Sequence, residues 1–287
     1  MAEAILHGRV GVGFKPDHAH DLFDSYVDYP QSPGWIEIHP ENYLSAGGPA
    51  LSLVERLAER WPLSFHSVGL SIGSCEGLDA QHLARICMLY RRVHPFLMSA
   101  HLAWSRSGSR FINDLLPLPL TPETLGIVSQ NIDCLQQALG CPVLIENPSS
   151  YVTFKHSTFS EPDFLYHLVD ITGCHLLLDL NNAVVTCHNT GMCLQDWVAA
   201  FPLESVREIH LAGHTESMLE DGTRLKIDDH GRAVSAAVLS LLGDISEKCT
   251  APILIEWDTN VPPFRIVMGE LMRVHSLLQR EPDVAEA

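Results

Sequence analysis

Residues 175–182 read HLLLDLNN: three leucines in succession, then an aspartate and two asparagines. A short apolar run that does not alternate with polar residues is the pattern of a strand covered on both faces, as parallel strands are beneath helices. Working outward, the same pattern recurs at Arg9–Phe14, Gly34–His39, Leu63–Gly69, Phe96–Trp104, Pro142–Pro148, Val206–His214 and Pro252–Asp258. With His175–Asn182 that makes eight runs, starting 25 to 46 residues apart. This is the spacing of repeated βα units, and eight of them closing on themselves make a TIM-type (β/α)8 barrel of the α/β class.

Helical patterns fall between the runs. Pro122–Leu139 carries Leu125, Val128, Ile132, Leu135 and Leu139 on one face. Thr121 is placed to cap it, Pro122 suits its first position, and Gly140 supplies a left-handed stop. Gln81–Val93 and Phe264–Leu278 show similar stripes. A doubly wound open sheet is less favoured, because GVGFKP after the first run lacks the GxGxxG spacing and no GxxxxGK[ST] is present. The 287 residues read as one barrel over 1–280 and a loose tail over 281–287. The longest connections are Ser105–Leu120, Ser149–Ser160, Ala183–Leu194 and Thr215–Gly231, all after strands, on the face where barrel active sites are built.

Eighteen Lys and Arg against 35 Asp and Glu leave a net charge of −17, which disfavours a nucleic-acid partner. The eight cysteines form no CxxC pair, so neither a zinc ribbon nor a small disulfide scaffold is expected. No stretch resembles a signal peptide or approaches the roughly 18 apolar residues of a membrane span. The expectation is a soluble, cytoplasmic protein with no membrane partner.

Ionisable residues end strand after strand: His66, His101, Glu146, Asp179 with Asn182, His210 with His214, and Glu256. In a barrel the carboxyl ends of different strands point into one bowl, so these groups become neighbours. Glu146 in VLIEN, Asp179 in LLLDL and Glu256 in LIEWD each follow three apolar residues, and an unpaired buried carboxylate costs several kcal/mol. Bound metal is the simplest compensation, and these three carboxylates are the candidate catalytic residues. Asp228 and His230 of KIDDHG add an i, i+2 pair in the connection after the seventh strand. Ten candidate ligands exceed the four to six that one transition metal takes, which suggests two or three ions sharing carboxylates. Imidazole and carboxylate donors suit iron, manganese or zinc and do not choose among them. A divalent-metal sugar isomerase or a zinc phosphodiesterase barrel places similar residues at strand ends, so on the residues alone those readings stay open.

Taken together, SFHSVGLSIG, SAHLAW, IENPSSY, LLLDLNN, EIHLAGH, IDDHG and IEWD, with GVGFKP and IHPENY, resemble the multinuclear non-haem iron-dependent oxidative enzymes, typified by the iron subunit of methanobactin biosynthesis. The resemblance implies a (β/α)8 barrel holding two or three iron ions (Fe2+/Fe3+). Such enzymes use O2 to modify cysteines of a ribosomally made precursor peptide, with a small partner protein that recognises the leader. By the same resemblance His66, His101 and Glu146 match one iron's ligands, and Glu146 bridges to a second held by Asp179, His210 and Glu256. Asn182, His214, Asp228 and His230 match the third set, with Asp229 standing where the family often has a small residue. Glu41, Asn42, Asp258 and Asn260 are expected to line the same bowl.

Overall fold

A computed structural model describes residues 10–24, 32–108 and 110–279. Each of the eight apolar runs contains one barrel strand. These are β1 (Val10–Gly13), β2 (Ile36–Ile38), β3 (Leu63–Ser67), β4 (Leu97–His101), β7 (Leu144–Glu146), β8 (His175–Asp179), β9 (Val206–Leu211) and β12 (Ile253–Ile255). They pair in parallel in the order β1-β12-β9-β8-β7-β4-β3-β2 and close on β1. Arg9 and the tail Glu281–Ala287 lie outside the described residues.

The register sets the site. His101 pairs with Glu146 across β4 and β7, and Asp179 with His210 across β8 and β9, so these four side chains share one level at the carboxyl end. Helix Pro122–Leu139 runs as expected, with Thr121 Oγ1 accepting from the Thr124 amide and Gly140 left-handed at φ 78°. Val128, Ile132 and Leu135 on its inner face are fully buried in the layer between helices and sheet. At the opposite end Gly11 admits the Trp35 ring, which a Cβ there would meet at 2.4 Å.

Three connections differ from the sequence expectation. Ala183–Leu194 is mostly helix, as Leu180–Thr190 starts directly after β8 with the Asp179 side chain as its cap. The connections after β4 and β9 each hold an antiparallel hairpin: β5 (Trp104–Ser107) with β6 (Arg110–Leu116), and β10 (Gly213–Met218) with β11 (Arg224–Arg232). Asp228 and His230 therefore sit on β11, in the stretch between Ile227 and Arg232 where its register with β10 shifts. Asn182 lies in the first turn of a helix rather than at a strand end, and His214 on β10. Among the described residues no helix is long and apolar enough to cross a membrane.

Candidate metal centre

The His66, His101 and Glu146 side chains meet at the top of the barrel. His66 Nε2 and His101 Nε2 are 3.1 Å apart and lie 3.2 and 3.1 Å from Glu146 Oε2. Their protonation follows from what lies behind them. Ser99 Oγ donates to the Phe65 carbonyl and so accepts from His66 Nδ1 at 2.7 Å, while His101 Nδ1 donates to the Ser67 carbonyl at 3.3 Å. Both protons are thus on Nδ1, and both Nε2 lone pairs face a carboxylate oxygen. Three lone-pair atoms within 3.2 Å repel one another unless a proton or a cation lies among them. Burial, then the neighbouring His66, holds His101 well below the ordinary histidine range, which keeps that ring neutral.

Glu146 and Asp179 follow one rule: one oxygen is anchored and the other is free. Asn182 Nδ2 donates to Glu146 Oε1 at 3.0 Å, and the Asn182 backbone amide donates to Asp179 Oδ1 at 2.7 Å. Glu146 Oε2 and Asp179 Oδ2 are buried without a hydrogen-bond partner, as are His210 Nε2 and His230 Nε2. Each orphan of this kind costs about 1–3 kcal/mol in a metal-free chain, and more for a charged group. Burial pushes both the Glu146 and Asp179 carboxyls well above the ordinary range, and nearby Glu256 and Glu146 respectively add to it. Burial also works against ionised Glu256, but the His230 and His210 rings outweigh it and hold that carboxyl well below the usual range. His210 Nδ1 lies 2.9 Å and His230 Nδ1 3.2 Å from Glu256 Oε2.

The outer pair is more open. His230 Nε2 lies 2.7 Å from Asp228 Oδ1 and 3.9 Å from Asp179 Oδ2, off the direction of a hydrogen bond. His230 has φ +41°, a left-handed conformation that a non-glycine residue holds only when its surroundings require it. The Asp258 amide donates to its carbonyl, and Asp258 Oδ2 lies 3.3 Å from its Nδ1. Asp229 turns away, its Oδ2 accepting from Thr215, so Asp228 is the aspartate on the cluster side.

His214 is not brought to the cluster. Its Nδ1 donates to Asn181 Oδ1 at 2.8 Å and its Nε2 accepts from Lys226 Nζ at 2.9 Å, leaving no lone pair free. Burial, then Lys226, lowers its pKa. It reaches the centre through Asn181, whose Nδ2 donates to Asp228 Oδ1 at 2.9 Å.

Sequence reasoning misses Glu37, Glu208 and His39. Glu37 Oε2 and Glu208 Oε1 lie 3.5 and 3.7 Å from His210 Nε2, inside the barrel, and His39 Nε2 lies 4.0 Å from Glu256 Oε1. A carboxylate inside WIEI carries the same signal as Glu146 in VLIEN, and Glu208 stands two residues before His210. The centre opens into a cavity of about 900 Å³ lined also by Glu41, Asn42, Asp258 and Tyr151; Asn260 is not among its lining residues. No cysteine lines it, so the site has no thiolate of its own.

A closed parallel barrel whose strand ends bring His, Asp and Glu into groups that could hold a metal ion is a TIM barrel with a candidate metal centre. Solved structures of that architecture are similar in fold. A xylose isomerase-like TIM barrel protein from Mycobacterium smegmatis in complex with magnesium matches with TM-score 0.60 and 12% identity, covering 94% of this chain and 96% of that one. Endonuclease IV from Thermus thermophilus matches with TM-score 0.53 and 14% identity, covering 94% and 98%. The sequence relationship is narrower. The profile described as RiPP precursor modification enzyme MbnB/TglH/ChrH matches residues 9–279, and the chain belongs to that family, whose members modify ribosomally made peptides. A UPF0276 protein of Rhizobium meliloti is 42% identical over 276 residues, covering 96% of this chain and 88% of the relative. One of Vibrio vulnificus is 41% identical over 280 residues, covering 97% and 94%.

Proposed function

We propose that the protein is a multinuclear iron enzyme that uses O2 to oxidise cysteine residues of a ribosomally synthesised precursor peptide. The observation that carries the metal is the set of buried, unpartnered donor atoms on Glu146, Asp179, His210 and His230, each on a side chain anchored or crowded elsewhere. The donor set fits iron: imidazole and carboxylate, no thiolate, and more donors than one ion needs. His66, His101 and Glu146 would hold one ion, and Glu146, Asp179, His210 and Glu256 a second. Asp228 and His230, beside Asn182, would hold a third, with His214 supporting Asp228 from behind. Iron bound there would supply activation of O2 and withdrawal of electrons from a bound thiolate.

The chain's own residues do the placing. Ser99 and the Ser67 carbonyl fix the His66 and His101 tautomers, which aims both Nε2 atoms inward. Asn182 orients two carboxylates at once. No cysteine lines the cavity wall, so a thiolate reacting there would come from the substrate. A small partner that binds the leader accompanies this reading.

The test is anaerobic purification, metal quantification, and incubation with cysteine-bearing precursor peptides and O2, followed by mass spectrometry. Iron at two to three ions per chain and an O2-dependent mass change at cysteine are expected. Zinc alone, or turnover of a sugar or phosphodiester without O2, overturns the reading.

A further inference from the structure

The β5–β6 hairpin stands outside the barrel, and its register is irregular. Arg106 pairs with Phe111 and Trp104 with Leu116, so Ser105 alone faces the four residues from Ile112 to Leu115. A bulge of this size bends a strand and releases backbone groups from the ladder. Among the described residues the other edge of β6 carries no strand, since the sheet has two strands only. Phe111, Ile112, Asn113, Asp114 and Leu115 all line the cavity that holds His66, His101 and Glu146. A strand showing its face to a cavity contributes every second residue. Here the bulge breaks that alternation, and five in succession reach the cavity beside the unpaired edge of β6. Phe111 is 57% exposed and Ile112 36%, on an edge that proteins ordinarily cover or charge.

We propose that β6 is a docking edge on which the segment flanking the target cysteine of the peptide substrate adds as an extended strand. This rests on the peptide-substrate reading above. The occupant is a peptide because edge pairing needs a partner backbone, which a sugar or a phosphodiester lacks. Main-chain hydrogen bonds would give affinity independent of sequence, while alternate side chains would meet Phe111 and Ile112. Tyr151 lines the same cavity, its hydroxyl accepting from the Asp228 amide at 2.8 Å, so the paired segment runs beside the metal centre.

The experiment uses the cysteine peptide found to change mass in the preceding test, resynthesised with single backbone N-methyl groups through the six residues on each side of the cysteine. Each lost edge hydrogen bond should raise KM about five- to tenfold. The effect should alternate with period two, and amide exchange should slow across Arg110–Leu116 when the unmethylated peptide is added. In the full-length protein, Asn113→Pro should raise KM by a similar factor with metal content and Tm unchanged. If a peptide is converted but the N-methyl series shows no period and the β6 amides stay unprotected, the docking edge is overturned while the activity stands. If no peptide changes mass, both fall.

Discussion

Asn182 touches two carboxylates of the centre at once, its side-chain amide donating to Glu146 Oε1 at 3.0 Å and its backbone amide to Asp179 Oδ1 at 2.7 Å. The two contacts differ in what a substitution removes. Asn182→Ala deletes the first and keeps the second, so the helix cap survives while Glu146 loses its anchor. Loss of such a supporting hydrogen bond weakens metal affinity about 10- to 100-fold. Metal titration of the chelated protein checks this, with a Tm of the metal-free form within a few degrees of the parent showing that the fold is intact. An unchanged affinity would remove Asn182 from the site.

Glu146→Gln tests the centre itself. Gln keeps the shape and still accepts from Asn182, but places an amide nitrogen or a neutral oxygen where two imidazole lone pairs now face a carboxylate. The expected result is loss of at least one ion per chain and a fall in peptide conversion of about a hundredfold or more, the scale of removing a principal electrostatic group. Elemental analysis and mass spectrometry read the two effects separately.

The barrel strands are legible in sequence because each is buried on both faces, which removes the polar residues that would break the run. Glu146, Asp179 and Glu256 stand out for the same reason, as charges in otherwise apolar text. Glu37 in WIEIH carries the same apolar-context signal but alternates with His39, and Glu208 in VREIH stands beside Arg207, so both also fit a strand with one wet face. Only closure of the barrel turns that face inward and buries both carboxylates. Helix Leu180–Thr190 is written in Asn, Thr, Val and His, residues of weak helix propensity, and is held by the Asp179 cap and by burial of its first eight residues. The hairpins escape notice because their exposed strands, such as RFINDLL, carry no periodic burial to read.

Gly11→Ala addresses the far end of the barrel. The new Cβ would stand 2.4 Å from the fully buried Trp35 ring. Overpacking of this kind costs about 1–3 kcal/mol. Urea denaturation should show a lower midpoint with unchanged slope. A midpoint equal to the parent's would mean that the ring moves freely.

Glu161 supplies a pH dependence remote from the metal. Burial pushes its carboxyl up to about 7, against an accepted hydrogen bond from Trp197 Nε1 at 3.2 Å. Because the folded value is raised, the protonated form is favoured by folding. Its contribution is fully present below the unfolded value near 4.5 and is lost as pH rises through about 7. Tm of the parent should therefore fall between pH 5 and pH 8 relative to Glu161→Gln, whose side chain does not titrate. Parallel curves would show that Glu161 is ionised throughout.

Lys15 is the cation that steadies the outer pair. Its Nζ donates to Asp258 Oδ1 at 2.7 Å, and the other Asp258 oxygen lies 3.3 Å from His230 Nδ1. His230 holds its left-handed backbone at the end of this chain of contacts. Lys15→Met keeps the aliphatic stem and removes the charge, which frees Asp258 to rotate and loosens His230 without touching His66, His101 or Glu146. The metal position at Asp228 and His230 should weaken about tenfold or more while the other positions stay filled. Metal per chain, measured after dialysis against a weak chelator, should therefore drop by one ion and no further. A uniform loss across all positions would mean that the ions are held as one indivisible unit.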